Sequence, residues 1–448
     1  MKSETPYLPA ELLSEIFRLA KPKREPSHAI PLQVVLSHVS SDWRNAVLSD
    51  SRLWSAINIY SPKSFGRAEA FLSRTGVATP LHVRIEAYRF DRFTKDPTKR
   101  AEFVVATRAF LKSSIHRCKT LLILTYDSGL ADQILQGLTE SEAPTLQRLR
   151  IKNVEHNALP VQTFASGAQI LTAGAPALTF LETEGLHLLP PIASLVTLHL
   201  HNIDPVWFSY DTFSDIVNRA PKLENLSLEC HDYISNWPMH FAGSALTLKN
   251  LRALRIIEQG SGLIVRYLLS INAPRLESLW ISTGNTAFDH LFSSPQFLDS
   301  QHKYGALKYL TLETFNMKTT SKFAHVFPNV VHLYLADAPL FHVKHLEQAF
   351  TADPPIWPKL QTLAVSSKSD RREMQFKEAL CNIVTRRAEK RLPLKRCLAD
   401  GNLAAFLKNQ ASDLLNENIT VAEMDALTHR EPWWVMMHED TMDSLGFS

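Results

Sequence analysis

The segment Pro144-Thr145-Leu146-Gln147-Arg148-Leu149-Arg150-Ile151 decides the fold, because its spacing of three apolar residues returns along most of the chain. The same triplet stands at Cys118/Leu121/Ile123, Leu178/Leu181/Thr183, Leu195/Leu198/Leu200, Leu223/Leu226/Leu228 and Leu251/Leu254/Ile256. It goes on at Leu276/Leu279/Ile281, Leu307/Leu310/Leu312, Val330/Leu333/Leu335 and Leu360/Leu363/Val365. Most copies follow one another after about 23 to 32 residues, a period that marks a stacked array. Leu81 to Ile85 reads as a weaker early copy, and Pro393 to Leu398 and Ile419 to Val421 as degenerate late ones. Pro144, Pro176, Pro221, Pro274, Pro328 and Pro358 each stand two residues ahead of a copy. Proline disfavours helix in the residue before it, so each one stops a helix and opens an extended segment.

Helical spacing fills the intervals. Phe213, Ile216, Val217 and Ala220 follow the i, i+3, i+4, i+7 rule, as do Ile264, Tyr267, Leu268 and Ile271. A lone repeat cannot fold, since ordering about 28 residues costs roughly 30–50 kcal/mol. Its three strand positions return only about 1.5–3 kcal/mol each. Stacking shares every apolar face with two neighbours. The expected fold class is therefore α/β, a curved solenoid over 118–425 with a parallel sheet on its concave face. An ordinary doubly wound α/β fold is the alternative. Residues 56–117 are expected to hold linking helices and a first degenerate repeat. Residues 426–448 are expected to form a C-terminal cap or tail, where Trp433-Trp434-Val435-Met436-Met437 covers the last repeat.

Residues 5–55 have a different character. Leu8, Leu12, Leu13, Ile16 and Phe17 recur at helical spacing behind Pro9, which suits a first helical turn. A polar stretch with prolines, Lys21 to Pro31, follows; then comes a second helical run through Val35, Leu36, Val39, Trp43, Ala46 and Val47, closed by Leu53 and Trp54. So small a core gains stability by burying its outer apolar residues on a partner. The rival reading is a plain bundle whose leucines cover only one another.

These residues resemble the F-box, through Leu-Pro-x-Glu-Leu-Leu-x-x-Ile-Phe at 8–17, Val39 with Trp43, and the closing Leu53-Trp54. Ser40 departs from the cysteine common there, and the 21–31 connection is longer than usual. The array resembles divergent leucine-rich repeats, particularly those that follow the F-box in large fungal families. It departs from the stricter repeat in lacking the asparagine after the last strand leucine, where Val154 and Ile203 stand. The resemblance implies a substrate-recognition adaptor of an SCF-type cullin–RING ubiquitin ligase. Leu8, Pro9, Leu12, Leu13, Ile16, Phe17, Val39, Trp43, Leu53 and Trp54 would then bind a Skp-like adaptor. A repeat scaffold acting independently of any ligase is the alternative, and a hydrolase concealed in an α/β fold a second one.

Residues alternating with the strand leucines face away from the core. Arg150, Lys152, Glu182, Glu184, His199, His201, Ser227, Glu229, Arg255, Trp280, Ser282, Thr311, Glu313 and Tyr334 fall on that face. Arg150, Glu182, His199, His201, Glu229, Arg255, Trp280, Glu313 and Tyr334 are the candidate substrate contacts. Among them Trp280 and Tyr334 are the expected anchors, as large aromatics on an open strand face. Charges of both signs suit a polypeptide better than a nucleic acid.

Composition narrows the function classes. The 448 residues carry a net charge of only +3, small for a nucleic-acid surface. Cys118, Cys230, Cys381 and Cys397 form no CxxC pair, which fits reduced thiols in cytoplasm or nucleus and argues against a zinc knuckle. The sequence has no apolar run of spanning length and no signal-peptide core, so neither membrane nor secretion is expected. His342 and His345 lack a companion ligand, as do His199 and His201, so no metal is expected. The basic run Arg386 to Arg391 reads as a solvated helix face. Nucleotide and hydrolase motifs are missing from the sequence, so no cofactor and no enzymatic activity are expected.

Overall fold

The computed structural model describes residues 8–21, 30–93, 96–126, 128–153, 169–184, 188–203, 208–230, 237, 245–258, 263–283, 292–313, 320–336, 343–353, 355–366, 373–392, 394–399, 404 and 420–423. The chain divides into two compact units, the first ending at Leu195 and the second beginning at Val196. That boundary falls within the expected array, just after the first position of the Leu195/Leu198/Leu200 copy. The expected cap at 426–448 and the polar connection at 22–29 lie outside the described residues, as does His342.

The first unit opens with three helices, α1 (Ala10–Ala20), α2 (Leu32–Leu36) and α3 (Ser41–Ser49), and a 3-10 turn at Ser51–Trp54. Alternation of strand and helix follows: β1 (Ala56–Ile59), α4 (Ser64–Arg74), β2 (Leu81–Glu86), α5 (Ala87–Phe93), α6 (Pro97–Ser114), β3 (Cys118–Thr125), α7 (Ser128–Gln136), β4 (Arg148–Asn153) and β5 (Phe180–Glu184). These five strands pair in chain order, all parallel.

The second unit continues the same scheme. It comprises β6 (Thr197–Ile203), α8 (Tyr210–Arg219), β7 (Asn225–Cys230), β8 (Leu246–Thr247), β9 (Ala253–Glu258), α9 (Leu263–Ser270), β10 (Ile271–Asn272) and β11 (Ser278–Thr283). Then come α10 (Pro295–Leu298), β12 (Tyr309–Glu313), α11 (Thr320–Val326), β13 (His332–Ala336), α12 (Val343–Thr351), β14 (Thr362–Val365), α13 (Glu373–Glu389), β15 (Arg396–Ala399) and β16 (Thr420–Glu423). Strands β6, β7, β9 and β11 to β16 form one parallel ladder in chain order, and the two-residue β8 and β10 pair apart from it.

Register carries the argument. Leu198, Leu226, Leu254, Leu279, Leu310, Leu333, Leu363, Cys397 and Val421 are successive partners across the second ladder. In the first unit Val83, Leu121, Leu149 and Leu181 are partners likewise. Thus, in each unit, the second position of each triplet occupies one row, and two residues on the third position forms another. Both rows point into the core, where nearly every side chain is buried. Sequence spacing and spatial stacking coincide.

The first triplet position sits in a turn just before each strand. The amide of Leu223 donates to Ala220 O, Leu276 to Ala273 O, Val330 to Phe327 O and Leu360 to Trp357 O, with Leu146 and Leu178 making the same bond to Ala143 and Ala175. Each proline therefore occupies the second place of a four-residue turn, where its fixed φ is already suited. The residue after the turn then donates to the carbonyl just ahead of the neighbouring strand, as Glu277 does to Arg252 O and Lys308 to Glu277 O. The proline does more than end a helix: it shapes the loop that delivers the next strand in register.

On the helix side, aromatic rings fill the space between strands and helices. Phe208, Phe213, Trp237 and Tyr267 form one group, with Trp237 and Tyr267 centroids 4.3 Å apart. Phe292, Phe297, Phe323 and Phe327 form another. Arg387 of α13 is buried and donates to the carbonyls of Ile356, Trp357 and Leu360, closing the turn in which Trp357 takes a φ of 47°. Part of the basic run is thus structural, not solvated. No helix among the described residues is long and apolar enough to cross a membrane.

Candidate functional site

Two surfaces hold the candidate residues: the helices at the start of the first unit, and the strand face opposite the core.

The α1 sequence AELLSEIFRLA carries two apolar stripes, not one. Leu13 and Phe17 turn inward, and Phe17 packs against Trp43 of α3 with centroids 4.9 Å apart. Leu12, at i and i+4 with Ile16, points outward, being 52% exposed, whereas its neighbour Leu13 is 6% exposed. Leu8, Ile16, Leu19, Ile30, Val35, Val39 and Leu48 are exposed as well, as is Pro9. Trp43 is half-buried.

Leu53 and Trp54, expected among adaptor contacts with Leu13 and Phe17, are instead buried with them. Their part is to hold the module together. Trp54 Nε1 donates to Val47 O at 2.9 Å, its ring meets Phe71 edge-on at 5.1 Å, and the Arg74 guanidinium lies 4.9 Å over it. Asp50 is the other fastening. It accepts from the Arg52 backbone amide at 3.1 Å and from that guanidinium at 2.9 and 3.1 Å, with Arg18 Nε 3.7 Å away. The carboxylate bond and charge raise the Arg52 pKa. Ser51 Oγ and Thr79 Oγ1 are 2.7 Å apart, and Arg117 donates to both Thr75 Oγ1 and Thr79 O. Ser40 keeps a local role, its Oγ capping α3 by accepting from Trp43 N at 3.2 Å. The helices and the first strand-helix pair are one packed block.

In the first unit the face opposite the core is charged. Across β2, β3, β4 and β5 the partners Arg84, Leu122, Arg150 and Glu182 form one row. Glu86, Leu124 and Lys152 form the next. Arg84 Nε lies 2.6 Å from Glu86 Oε1, and Arg89 also pairs with Glu86. Arg150 pairs with Glu182, and Lys152 Nζ lies 2.9 Å from its other oxygen. Glu184 accepts from the Asn153 amide at 2.5 Å.

The equivalent row in the second unit runs His199, Ser227, Arg255, Trp280, Thr311, Tyr334, Ala364 and Leu398. The Arg255 guanidinium lies 5.2 Å over Trp280, whose Nε1 donates to Glu313 at 3.1 Å. Tyr334 OH and Ser366 Oγ are 3.0 Å apart. His201 Nδ1 lies 2.6 Å from Glu229, and the His199 and His201 rings are 6.0 Å apart. Tyr334, Ala336, Ala364 and Leu398 pack as a separate apolar cluster on this side.

Here the expectation of an open aromatic face is corrected. Trp280 is only 2% exposed and Tyr334 only 5%. Arg150, Glu182, His199 and Arg255 are buried too, while His201 and Glu229 remain part-exposed. Alternation placed these side chains on the right side of the strands, but their rings and charges pack against one another instead of standing in solvent. Sequence reading also missed Arg84, Glu86 and Arg89, although Leu81-His82-Val83-Arg84-Ile85-Glu86 alternates clearly. For Arg84 and Glu86 the signal is the two-residue period of that copy, whereas Arg89 stands beyond it on α5 and leaves no such trace.

All four cysteines are free, and three are buried. Burial pushes the Cys118 and Cys397 thiols up to about 12, so neither is a ready nucleophile. In comparisons with known proteins, neither a family model nor a curated protein matches the chain.

Proposed function

We propose that this chain is a non-catalytic adaptor with two working ends. Its opening helices dock on a Skp-type subunit of a cullin–RING ubiquitin ligase. Its strands, as a curved leucine-rich solenoid, hold a protein substrate. Transfer chemistry belongs to the partners, and the chain contributes placement.

The supporting observation is the double stripe of α1. A helix that only covered its own core would need Leu13 and Phe17; Leu12, Ile16 and Leu19 add an outward apolar row that a lone module leaves in water. Exposed apolar side chains grouped on a small helical unit mark a surface made to be covered. The block formed by Trp54, Phe71 and Asp50 supports the same reading, since it would hold a docked ligase at a set orientation to the first strands.

Co-purification tests it. Wild-type chain should retain a Skp-type adaptor, and Leu12→Ala with Ile16→Ala should lose it while remaining folded. Equal recovery by both would refute the docking assignment.

A further inference from the structure

One group of side chains in the second unit has chemistry that packing does not use. Leu198 and Leu200 of β6 are buried in the core, so His199 and His201 share the other side of that strand. Their rings are tilted by 59° with centroids 6.0 Å apart, yet a nitrogen of each lies within 4.8 Å of one on the other. Each imidazole thus turns a nitrogen toward its neighbour. Sequence spacing alone offers this pair no companion ligand. The fold brings a carboxylate from β7, with His201 Nδ1 2.6 Å from Glu229 Oε2.

Two further observations mark the place. The β6–β7 register slips here, since the three steps from Leu200 to Ile203 match the two from Leu228 to Cys230. An extra residue of this kind bends a strand and re-aims a side chain, and such bulges gather beside functional sites. Directly across from His199 stands Ser227, which is fully buried, and among the described residues its Oγ has no hydrogen-bond partner. A buried hydroxyl is costly unless it is bonded, and water held by an ion beside His199 would supply that bond. The His201 and Glu229 side chains are 20% and 21% exposed, so the group opens to solvent on one side.

We infer that His199 and His201 bind one divalent transition-metal ion of the zinc class through a ring nitrogen each, with Glu229 holding His201 from behind. This is independent of the adaptor reading. Neutral imidazole suits zinc, copper and nickel, whereas magnesium and calcium take oxygen ligands. A ring nitrogen sits about 2.0–2.1 Å from zinc, so two on one tetrahedral ion stand about 3.3 Å apart, within reach of small ring rotations. A metal-binding histidine commonly donates its other N–H to a carboxylate, which fixes the tautomer. The bond from His201 Nδ1 to Glu229 is that arrangement, and it assigns Nε2 to the ion. All three side chains have further interactions, so binding is an exchange: the ion replaces a proton or hydrogen bond at each nitrogen. Arg255, next in the row beyond Ser227, weakens the site by its charge, and Glu229 offsets it. Two protein ligands leave the remaining positions to water, so affinity should fall below that of a closed four-ligand site.

The test uses the full chain, stripped with a chelator and dialysed, with zinc chloride as the probe. Competition with a chromophoric zinc indicator should show one more zinc bound per wild-type chain than per chain carrying His199→Asn with His201→Gln. Counting by difference removes any zinc taken up at other histidines and cysteines. Magnesium chloride should not compete. Glu229→Gln should keep that zinc but bind it roughly tenfold more weakly, the usual effect of losing such an outer carboxylate. Zinc should also raise the wild-type Tm more than that of the histidine variant. Far-UV circular dichroism checks that each variant folds, and His201→Gln alone, at a part-exposed position, stands in if the double change does not. Equal zinc counts in wild type and the folded histidine variant, or magnesium competing as well as zinc, would overturn the inference. Unchanged zinc affinity in Glu229→Gln would overturn the part assigned to that carboxylate.

Discussion

Leu12 and Leu13 are adjacent in sequence and should behave as opposites. Leu13 is 6% exposed, so trimming it to alanine removes nearly a full leucine of buried surface and leaves a hole beside Phe17. Buried leucine-to-alanine changes cost about 2–5 kcal/mol, a large share of a small module's stability. Leu12 is 52% exposed, so about half of its side chain remains for a partner to cover. Full burial of a leucine is worth about 1.5–3 kcal/mol, which assigns roughly 0.8–1.5 kcal/mol of docking energy to Leu12. Ile16, at 48%, should contribute about as much. Together the pair should weaken adaptor affinity by roughly ten- to a hundredfold, with a stability loss under about 1 kcal/mol. Urea melts followed by tryptophan fluorescence give the stability arm, and titration calorimetry with a Skp-type adaptor gives the affinity arm. If Leu12→Ala destabilised the chain as much as Leu13→Ala, the outward stripe would not exist in solution. If Leu12→Ala with Ile16→Ala left both stability and affinity untouched, that stripe would serve something else.

Other consequences are equally specific. Leu254 lies in the middle of the second ladder with neighbours Leu226 and Leu279; its change to alanine should cost about 2–5 kcal/mol by denaturant melting, and a cost under 1 would contradict the stacked core. Arg387→Met takes the guanidinium from the carbonyls of Ile356, Trp357 and Leu360, of which Trp357 O keeps only the Leu360 amide, a loss on the order of 1–3 kcal/mol that a thermal melt would register and a neutral result would rule out. Burial raises the Cys118 and Cys397 thiols from 9.0 to about 12. Their stabilising share is complete below the unfolded value near 9 and disappears as pH climbs toward 12. Stability should thus fall across that alkaline window, with Tyr267 and Tyr304 adding to the drop because burial raises them too. Cys118→Ala with Cys397→Ala should flatten the decline, and an unchanged slope would refute the assignment.

Much of the architecture was legible because a strand alternates sides with a fixed period. Once Leu226 and Leu228 were placed inward, Ser227 and Glu229 had to face the other way, and the ladder agrees. What alternation cannot tell is how crowded that other side is. Trp280 was expected to stand in water, yet Arg255 lies over it and Glu313 takes its indole proton. Those contacts join different strands and leave no periodic trace. The opening motif had a related limit. A family pattern records which positions are apolar, without separating Leu12, which faces out, from Leu13, which faces in, or showing that Trp54 is seated on Phe71. The prolines show a similar limit: their place before each strand is visible in the sequence, whereas their seat inside a turn depends on a hydrogen bond that leaves no sequence signature.

Among the described residues of the second ladder, each strand bonds to the ladder strands just before and after it, with only the short β8 and β10 passed over. Such a chain can assemble by local search, zipping outward from any well-formed pair, with no distant segments to bring together. It can also gain or lose a whole strand-helix period by duplication or deletion, at the cost of re-forming a single seam. A protein made this way can lengthen its sheet over evolutionary time and leave its opening helices unchanged.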